Sequence, residues 1–315
     1  MFLRKANSKW IVRTPAKLNV CLSIEGKRPD GYHELRTLMV PVRLFDLLTF
    51  EPLPGEDASD AGIRLRVVEA PAPSRDGFGS VSSPVVPDDQ TNLVVRALSE
   101  LRRRAGRACR AQVTLTKRIP VEAGLGGGSS DAAAALVAGN EAWGLGLPRG
   151  VLAEIATGLG SDVPFFLSCR ASVCSGRGEI VTPLPRAARL HTIVVTPAER
   201  LASTDVYAAL GEADFAGDRP DGPPLEQAVA AFLSGDVGRL ARLLHNGLER
   251  AAVSLRPELA RIRATMERWT GGSVLMTGSG SCFFSLCRTA CHARRGAARL
   301  NSLGLATAVA TASYG

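Results

Sequence analysis

The sequence predicts an α+β fold in two parts, and three observations carry that prediction. A strand-like run from Ala111 to Lys117, with Val113 and Leu115 alternating against polar neighbours, leads through a glycine-rich stretch into an alanine-rich helix start. From Thr192 onwards the order reads strand, helices, strand Ser273 to Met276, strand Phe283 to Cys287, an arginine-rich helix and strand Leu305 to Thr311. That order suits a small α+β sandwich. Between the two parts, Pro183, Pro185 and Arg186 form a joint, so the expected domains are 1–184 and 185–315. A length of 315 residues accommodates two domains of ordinary size.

Trp10 to Ile24 opens the chain with a strand pattern. Ala16, Leu18, Val20, Leu22 and Ile24 share one face, while Lys17, Asn19, Cys21 and Ser23 share the other. Period two therefore sets the Lys17 ammonium beside the Asn19 amide, either as a solvent-facing surface or as part of a site. Pro29-Asp30-Gly31 marks a turn, and Tyr32 and His33 follow it directly. Such a pair suits either packing or the stacking and hydrogen bonding of a base. Strand-like runs follow at Thr37 to Leu44, Leu47 to Glu51 and Ile63 to Glu69. Ala70 to Gln90, rich in Pro, Ser, Gly and Asp, reads as a long surface loop. Thr91-Asn92 then starts a helix carrying Val94, Ala97, Leu98 and Leu101 at helical spacing.

The stretch Pro120-Val121-Glu122-Ala123-Gly124-Leu125-Gly126-Gly127-Gly128-Ser129-Ser130-Asp131 is the most informative in the chain. Glycine inside a regular element costs about 0.5–1 kcal/mol relative to alanine, so four glycines within five positions serve backbone geometry. Set between a strand and a helix N-terminus, the loop presents backbone N–H groups and a helix dipole to one point, an anion site suited to phosphate. Ser129 stands where a P-loop needs lysine and where a dinucleotide fingerprint needs its third glycine, so neither motif is met.

Pro148 to Gly158 reads as a further helix, followed by Gly160-Ser161-Asp162-Val163-Pro164-Phe165, with Asp162 at an element boundary. Ala171 to Val181 reads as a hairpin. Ser203 caps a helix bearing Tyr207, and Gly211 to Pro224 is loop. Thr277-Gly278-Ser279-Gly280 forms a second glycine-serine loop.

Taken together, Pro120 to Ala133 resembles the ATP loop of the GHMP small-molecule kinases. The resemblance implies a two-domain fold, with an N-terminal α/β domain like that of a ribosomal protein and a ferredoxin-like α+β C-terminal domain. It implies ATP and Mg2+ as cofactors, with Ser130 or Asp131 as candidates to reach the metal. Ala16-Lys17-Leu18-Asn19 and Gly160-Ser161-Asp162-Val163-Pro164 match the family segments whose lysine and aspartate are catalytic, the aspartate as general base. The triple glycine together with Asp30-Gly31-Tyr32-His33 resembles the branch that phosphorylates the 2-hydroxyl of a cytidyl diphosphate ester in non-mevalonate isoprenoid precursor synthesis. In that branch the residues matching Tyr32, His33 and Tyr207 hold the cytidine and Asn92 matches a position near the adenine, while Asn19 is expected to orient the acceptor. Thr277 to Gly280 match a loop that closes the site. One departure is Glu122, where a glycine or another small neutral residue is expected.

Composition agrees. A net charge of +8 suits anionic nucleotides and phosphate esters, and the scattered arginines with only 5% aromatics disfavour a nucleic-acid partner. No apolar run reaches the roughly 20 residues of a membrane span, and the start lacks a signal-peptide core, so a cytoplasmic protein with small-molecule partners is expected. The seven cysteines form no CxxC pair and suggest neither disulfides nor zinc. Among 38 basic residues only five are lysines, namely Lys5, Lys9, Lys17, Lys27 and Lys117, so each lysine merits scrutiny.

Overall fold

The computed structural model describes residues 2–56, 62–69, 86–186, 188–211, 214–215, 224–304 and 307–313. In chain order the elements are β1 (Phe2–Ala6), β2 (Lys9–Lys27), β3 (His33–Glu56), β4 (Ile63–Glu69), α1 (Leu93–Ala105), β5 (Cys109–Lys117), α2 (Gly127–Ala142), α3 (Arg149–Leu159) and α4 (Val163–Ser168). There follow β6 (Ser172–Ser175), β7 (Ile180–Pro183), β8 (His191–Thr196), α5 (Ser203–Ala208), α6 (Leu225–Ser234), α7 (Val237–Arg242) and β9 (His245–Asn246). The last are α8 (Glu249–Leu255), α9 (Glu258–Thr270), β10 (Val274–Met276), β11 (Phe283–Cys287), α10 (Ala290–Ser302) and β12 (Thr307–Ala312). They group into two units, each discontinuous in sequence. One holds Met1–Ala16, Leu44–Val121 and Gly126–Cys169, and the other Lys17–Arg43, Glu122–Leu125 and Arg170–Gly315. The long strands β2 and β3 contribute residues to both.

In the first unit β5 pairs antiparallel with β3 and parallel with β4. A parallel pair needs a crossover, and α1 supplies it. Asn92 Oδ1 caps α1 by accepting from the Val94 N–H, and Gly106 ends it in the left-handed conformation after three arginines in the last turn. Helix α2 is buried around most of its circumference, since Ala132 to Ala135 are all buried. Its Gly139 lets α1 approach closely, because a Cβ there would lie 2.8 Å from Leu98 and 2.9 Å from Leu101. Trp143 at the end of α2 meets Phe50 of β3 edge to face at 5.2 Å.

In the second unit β10, β11, β8 and β12 form an antiparallel sheet in that order. Ile193 and Val195 of β8 and Phe283 and Cys287 of β11 share one core with Leu259 and Met266 of α9 and Ala293 and Leu300 of α10. The two-residue spacing within each strand is what turns these side chains to one face.

Both units mix helix and strand, the expected α+β organisation. The runs expected at Thr37–Leu44 and Leu47–Glu51 are a single strand, β3, because Phe45 and Asp46 between them continue the extended backbone. Strand β1 had no clear pattern in Phe-Leu-Arg-Lys-Ala and is held by its pairing with β2, Phe2 opposite Arg13. Helix α5 begins at Ser203, so the cap position is Ala202 and not the serine. Ser203 Oγ instead lies 2.7 Å from Ser279 Oγ. Residues 70–85 of the expected loop lie outside the described residues.

Candidate active site

The polar face of β2 is buried from Lys17 to Cys21, while Ser23 beyond it is half-buried. Lys17, Asn19 and Cys21 are each at most 3% exposed, which rules out the solvent-facing reading of that face. Lys17 Nζ donates to Asn19 Oδ1 at 2.5 Å, and Asn19 Nδ2 donates to Thr37 Oγ1 at 2.9 Å. The Asn19 N–H donates to Thr277 Oγ1 at 3.0 Å, and the Lys17 N–H to the Leu125 carbonyl at 2.9 Å. Burial pushes the Cys21 thiol up to about 12, with Glu226 adding to the effect, so it remains a neutral neighbour.

The two glycine loops meet at this face. A Cβ on Gly124 would lie 2.0 Å from the Thr277 carbonyl oxygen, and one on Gly278 would lie 3.0 Å from Lys17 Nζ and 3.1 Å from the Gly124 carbonyl oxygen. Both residues have positive φ, +73° and +56°. Glycine is therefore required here for conformation and for space. The cluster of Lys17, Asn19, Gly124 and Thr277 to Gly280 is braced from behind by Asn246. Its Nδ2 donates to the carbonyls of Met276 and Gly278 at 2.7 and 2.9 Å. Nothing in the sequence pointed to Asn246 or Thr37, because a single amide or hydroxyl has no spacing signature.

Glu122 has a φ of +52° and is exposed. The left-handed backbone explains why glycine is the expected residue there, and exposure keeps the carboxylate in solvent. An exposed charge is strongly screened. Glu122→Gly is accordingly expected to leave ATP affinity within about threefold of the parent, measured by calorimetry; a larger gain would mean the carboxylate faces the phosphates.

His33 stacks on Tyr207 with ring centroids 5.4 Å apart at 26°, and Phe215 lies 5.9 Å from His33. Burial lowers the His33 pKa, with Lys27 adding to the effect, which favours the neutral imidazole. Tyr32 is 53% exposed and carries the Arg177 guanidinium over its ring at 4.5 Å rather than joining the His33 stack. Phe215 escaped the sequence reading because it sits in a loop without periodicity.

The rest of the glycine loop belongs to the first unit. Gly126, at φ +70°, caps α2 without a side chain, and the first bond onto it is Ser130 N–H to the Gly126 carbonyl at 2.9 Å. The N–H groups of Gly127, Gly128 and Ser129 thus precede the intrahelical ladder. Ser130 Oγ is buried without a hydrogen-bond partner, an orphaned donor that fits a metal or phosphate oxygen. Asp131 is differently placed, its carboxylate held by Thr14 Oγ1 at 2.7 Å and Lys117 Nζ at 2.8 Å. Lys117 also pairs with Asp46. Burial and the neighbouring Asp131 raise Asp46 to about 6. For Lys117 burial alone would lower the pKa, but Asp131 and Asp46 outweigh it and hold the ammonium charged. Asn92 uses its amide within the fold, as the α1 cap and as a donor to the Pro87 carbonyl at 2.6 Å. Asp162, half-buried, occupies the cap position of α4 without bonding its backbone.

A glycine-rich loop at the N-terminus of α2 in the first unit and a four-stranded antiparallel sheet packed with helices in the second are features of a small-molecule kinase of the GHMP class. Family models agree, with the GHMP kinases N terminal domain matching residues 92–170 and the GHMP kinases C terminal matching 228–304. The 4-diphosphocytidyl-2-C-methyl-D-erythritol kinase of Symbiobacterium thermophilum is 40% identical, covering 84% of this chain and 86% of the relative. That of Nocardia farcinica is 39% identical over 97% and 94%. A crystal structure of 4-(cytidine 5'-diphospho)-2C-methyl-D-erythritol kinase superposes with a TM-score of 0.74 at 35% identity, over 97% of this chain and 99% of that one. The chain belongs to the 4-diphosphocytidyl-2-C-methyl-D-erythritol kinase family of the GHMP kinases.

Proposed function

We propose that this chain transfers the γ-phosphoryl group of ATP to the 2-hydroxyl of 4-diphosphocytidyl-2-C-methyl-D-erythritol, a step in non-mevalonate isoprenoid precursor biosynthesis. The carrying observation is the near-full-length relationship to kinases of that name. The buried Lys17–Asn19 face and the His33–Tyr207–Phe215 ring cluster support it. Along the sequence, the two family matches fall on either side of residue 184, which supports assigning 1–184 to the ATP-binding part and 185–315 to the C-terminal part.

Phosphoryl transfer rests on positioning and charge stabilisation. The backbone N–H groups from Gly124 to Ser129 hold the triphosphate, with Pro120 to Ala123 shaping the approach to that loop and Asn92 fixing the start of α1. Bound magnesium supplies charge neutralisation on the phosphates, and Ser130, with its orphaned hydroxyl, is the residue that would hold it. Asp162 takes the proton from the acceptor hydroxyl as that oxygen attacks phosphorus. Lys17 offsets negative charge gathering on the transferred group, and Asn19 orients both the lysine and the acceptor. His33, Tyr207 and Phe215 give the cytosine ring a surface to stack on, and Tyr32 adds a second aromatic edge.

The test is ADP release with ATP and magnesium over four acceptors: the cytidyl compound, the same alcohol without cytidine, homoserine and mevalonate. Turnover is expected with the first alone. Phe215→Ala should raise the KM for that acceptor about tenfold or more, since base stacking is worth roughly 1–3 kcal/mol. Comparable turnover of homoserine or mevalonate would remove the base-recognition role from the aromatic cluster.

A further inference from the structure

Lys117 is a lysine in an arginine-dominated chain, and none of the steps above uses it. It is 8% exposed at the end of β5, between Asp46 of β3 at 0% and Asp131 of α2 at 2%, with Thr14 of β2 at 0% bonded to Asp131. These residues hold the glycine stretch at both ends. Asp46 Oδ1 accepts from the backbone N–H groups of Arg118 and Ile119, the latter at 2.8 Å, and so fixes the chain as it leaves β5. Asp131 lies at the start of α2, where the stretch ends. Lys117 donates to both carboxylates. The two ends are close together, for a Cβ on Gly127 would lie 3.0 Å from Ile119 and 3.3 Å from Lys117 Nζ.

We propose that Lys117 is a positioning residue that sets the separation between the two ends of the phosphate loop, and that ATP affinity depends on it while acceptor affinity does not. The inference rests on the kinase reading given above. A buried ion pair adds little net stability, so its value here lies in the one geometry it permits. A compact ammonium donates in divergent directions to two carboxylates, whereas the planar guanidinium fork is larger and favours one bidentate partner. With Gly127 and Ile119 this close, the larger group displaces one end of the loop.

The decisive measurement is calorimetric titration of the full chain with magnesium-ATP in the absence of acceptor, beside acceptor KM and a thermal melt. Lys117→Arg and Asp46→Asn are expected to melt cooperatively, to bind ATP about tenfold more weakly and to keep acceptor KM within about twofold. Lys117→Met leaves two buried carboxylates without their cation and is the variant at risk of not folding. Thr14→Val, which loses only the hydroxyl that orients Asp131, is therefore included, with an expected weakening of about threefold. Folded variants with parental ATP affinity overturn the proposal. So do equal rises in ATP dissociation constant and acceptor KM, the signature of a merely structural role. A parent that binds ATP but spares the cytidyl compound refutes the acceptor assignment, and the ATP ratio still decides the role of Lys117. A parent that binds no ATP overturns both.

Discussion

Asp162→Asn is expected to lower kcat by about 10²–10⁴-fold, the range over which a positioned general base contributes, while the ATP dissociation constant stays within about threefold. The substitution keeps shape and volume while removing the negative charge and with it the capacity to take a proton. Asp162 makes no bond to the backbone of α4, so the amide has no capping interaction to break. The loss is expected to fall on turnover. Steady-state kinetics with the cytidyl acceptor, beside calorimetric titration of ATP, separates the two quantities. A kcat within tenfold of the parent would remove Asp162 from the proton-transfer role, and a parallel collapse of ATP binding would mean that the residue holds structure instead.

The second large effect is expected at Gly124. Alanine there meets two obstacles at once. The backbone has φ +73°, which costs an L-residue roughly 1–2 kcal/mol, and the new methyl carbon would sit 2.0 Å from the Thr277 carbonyl oxygen. No side-chain rotation relieves a clash between a Cβ and a backbone oxygen. The two glycine loops must separate, and Thr277 Oγ1 is the group that receives the Asn19 N–H. Displacement of reacting groups by about 1 Å can cost 10²-fold in rate, so Gly124→Ala should lose about 100-fold or more in kcat/KM for ATP. The melting temperature and kcat/KM should be measured together. A folded Gly124→Ala enzyme with near-parental kcat/KM would show that contact between the loops is dispensable.

These two residues also show what could be read from the sequence. Gly124 was legible because a conformation open mainly to glycine leaves glycine in the sequence, and clustering made the demand visible. Strands β8 and β11 were legible because burial on both faces leaves continuous apolar runs bounded by turns. Lys17 and Asn19 were placed on one face by period two, but their burial required the tertiary structure. Phe215 and Asn246 act through space from segments with no local pattern, and although Thr37 lies in a legible strand, no window of sequence contains the partners of any of the three. Lys117 stood out as one of few lysines, yet its carboxylates are 71 residues before it and 14 after it. Glu122 was recognised as unusual for its charge, whereas its structural peculiarity is a left-handed backbone. The interleaving of the two units was not legible either, since alternation shows that a strand is half-buried and not which strands it joins.

That interleaving has a consequence for how the protein is made. The first unit is complete in sequence once Cys169 has been synthesised, but Lys17–Arg43 belongs with a partner that, apart from Glu122–Leu125, begins at Arg170. At roughly 5–20 residues per second, that early segment waits about 6–25 s on the ribosome before its partner starts to emerge. Throughout that interval Leu22, Ile24 and Leu35, buried in the finished molecule against residues such as Leu248 and Met276, lack those neighbours. The nascent chain thus carries these apolar side chains for several seconds before the residues that bury them exist.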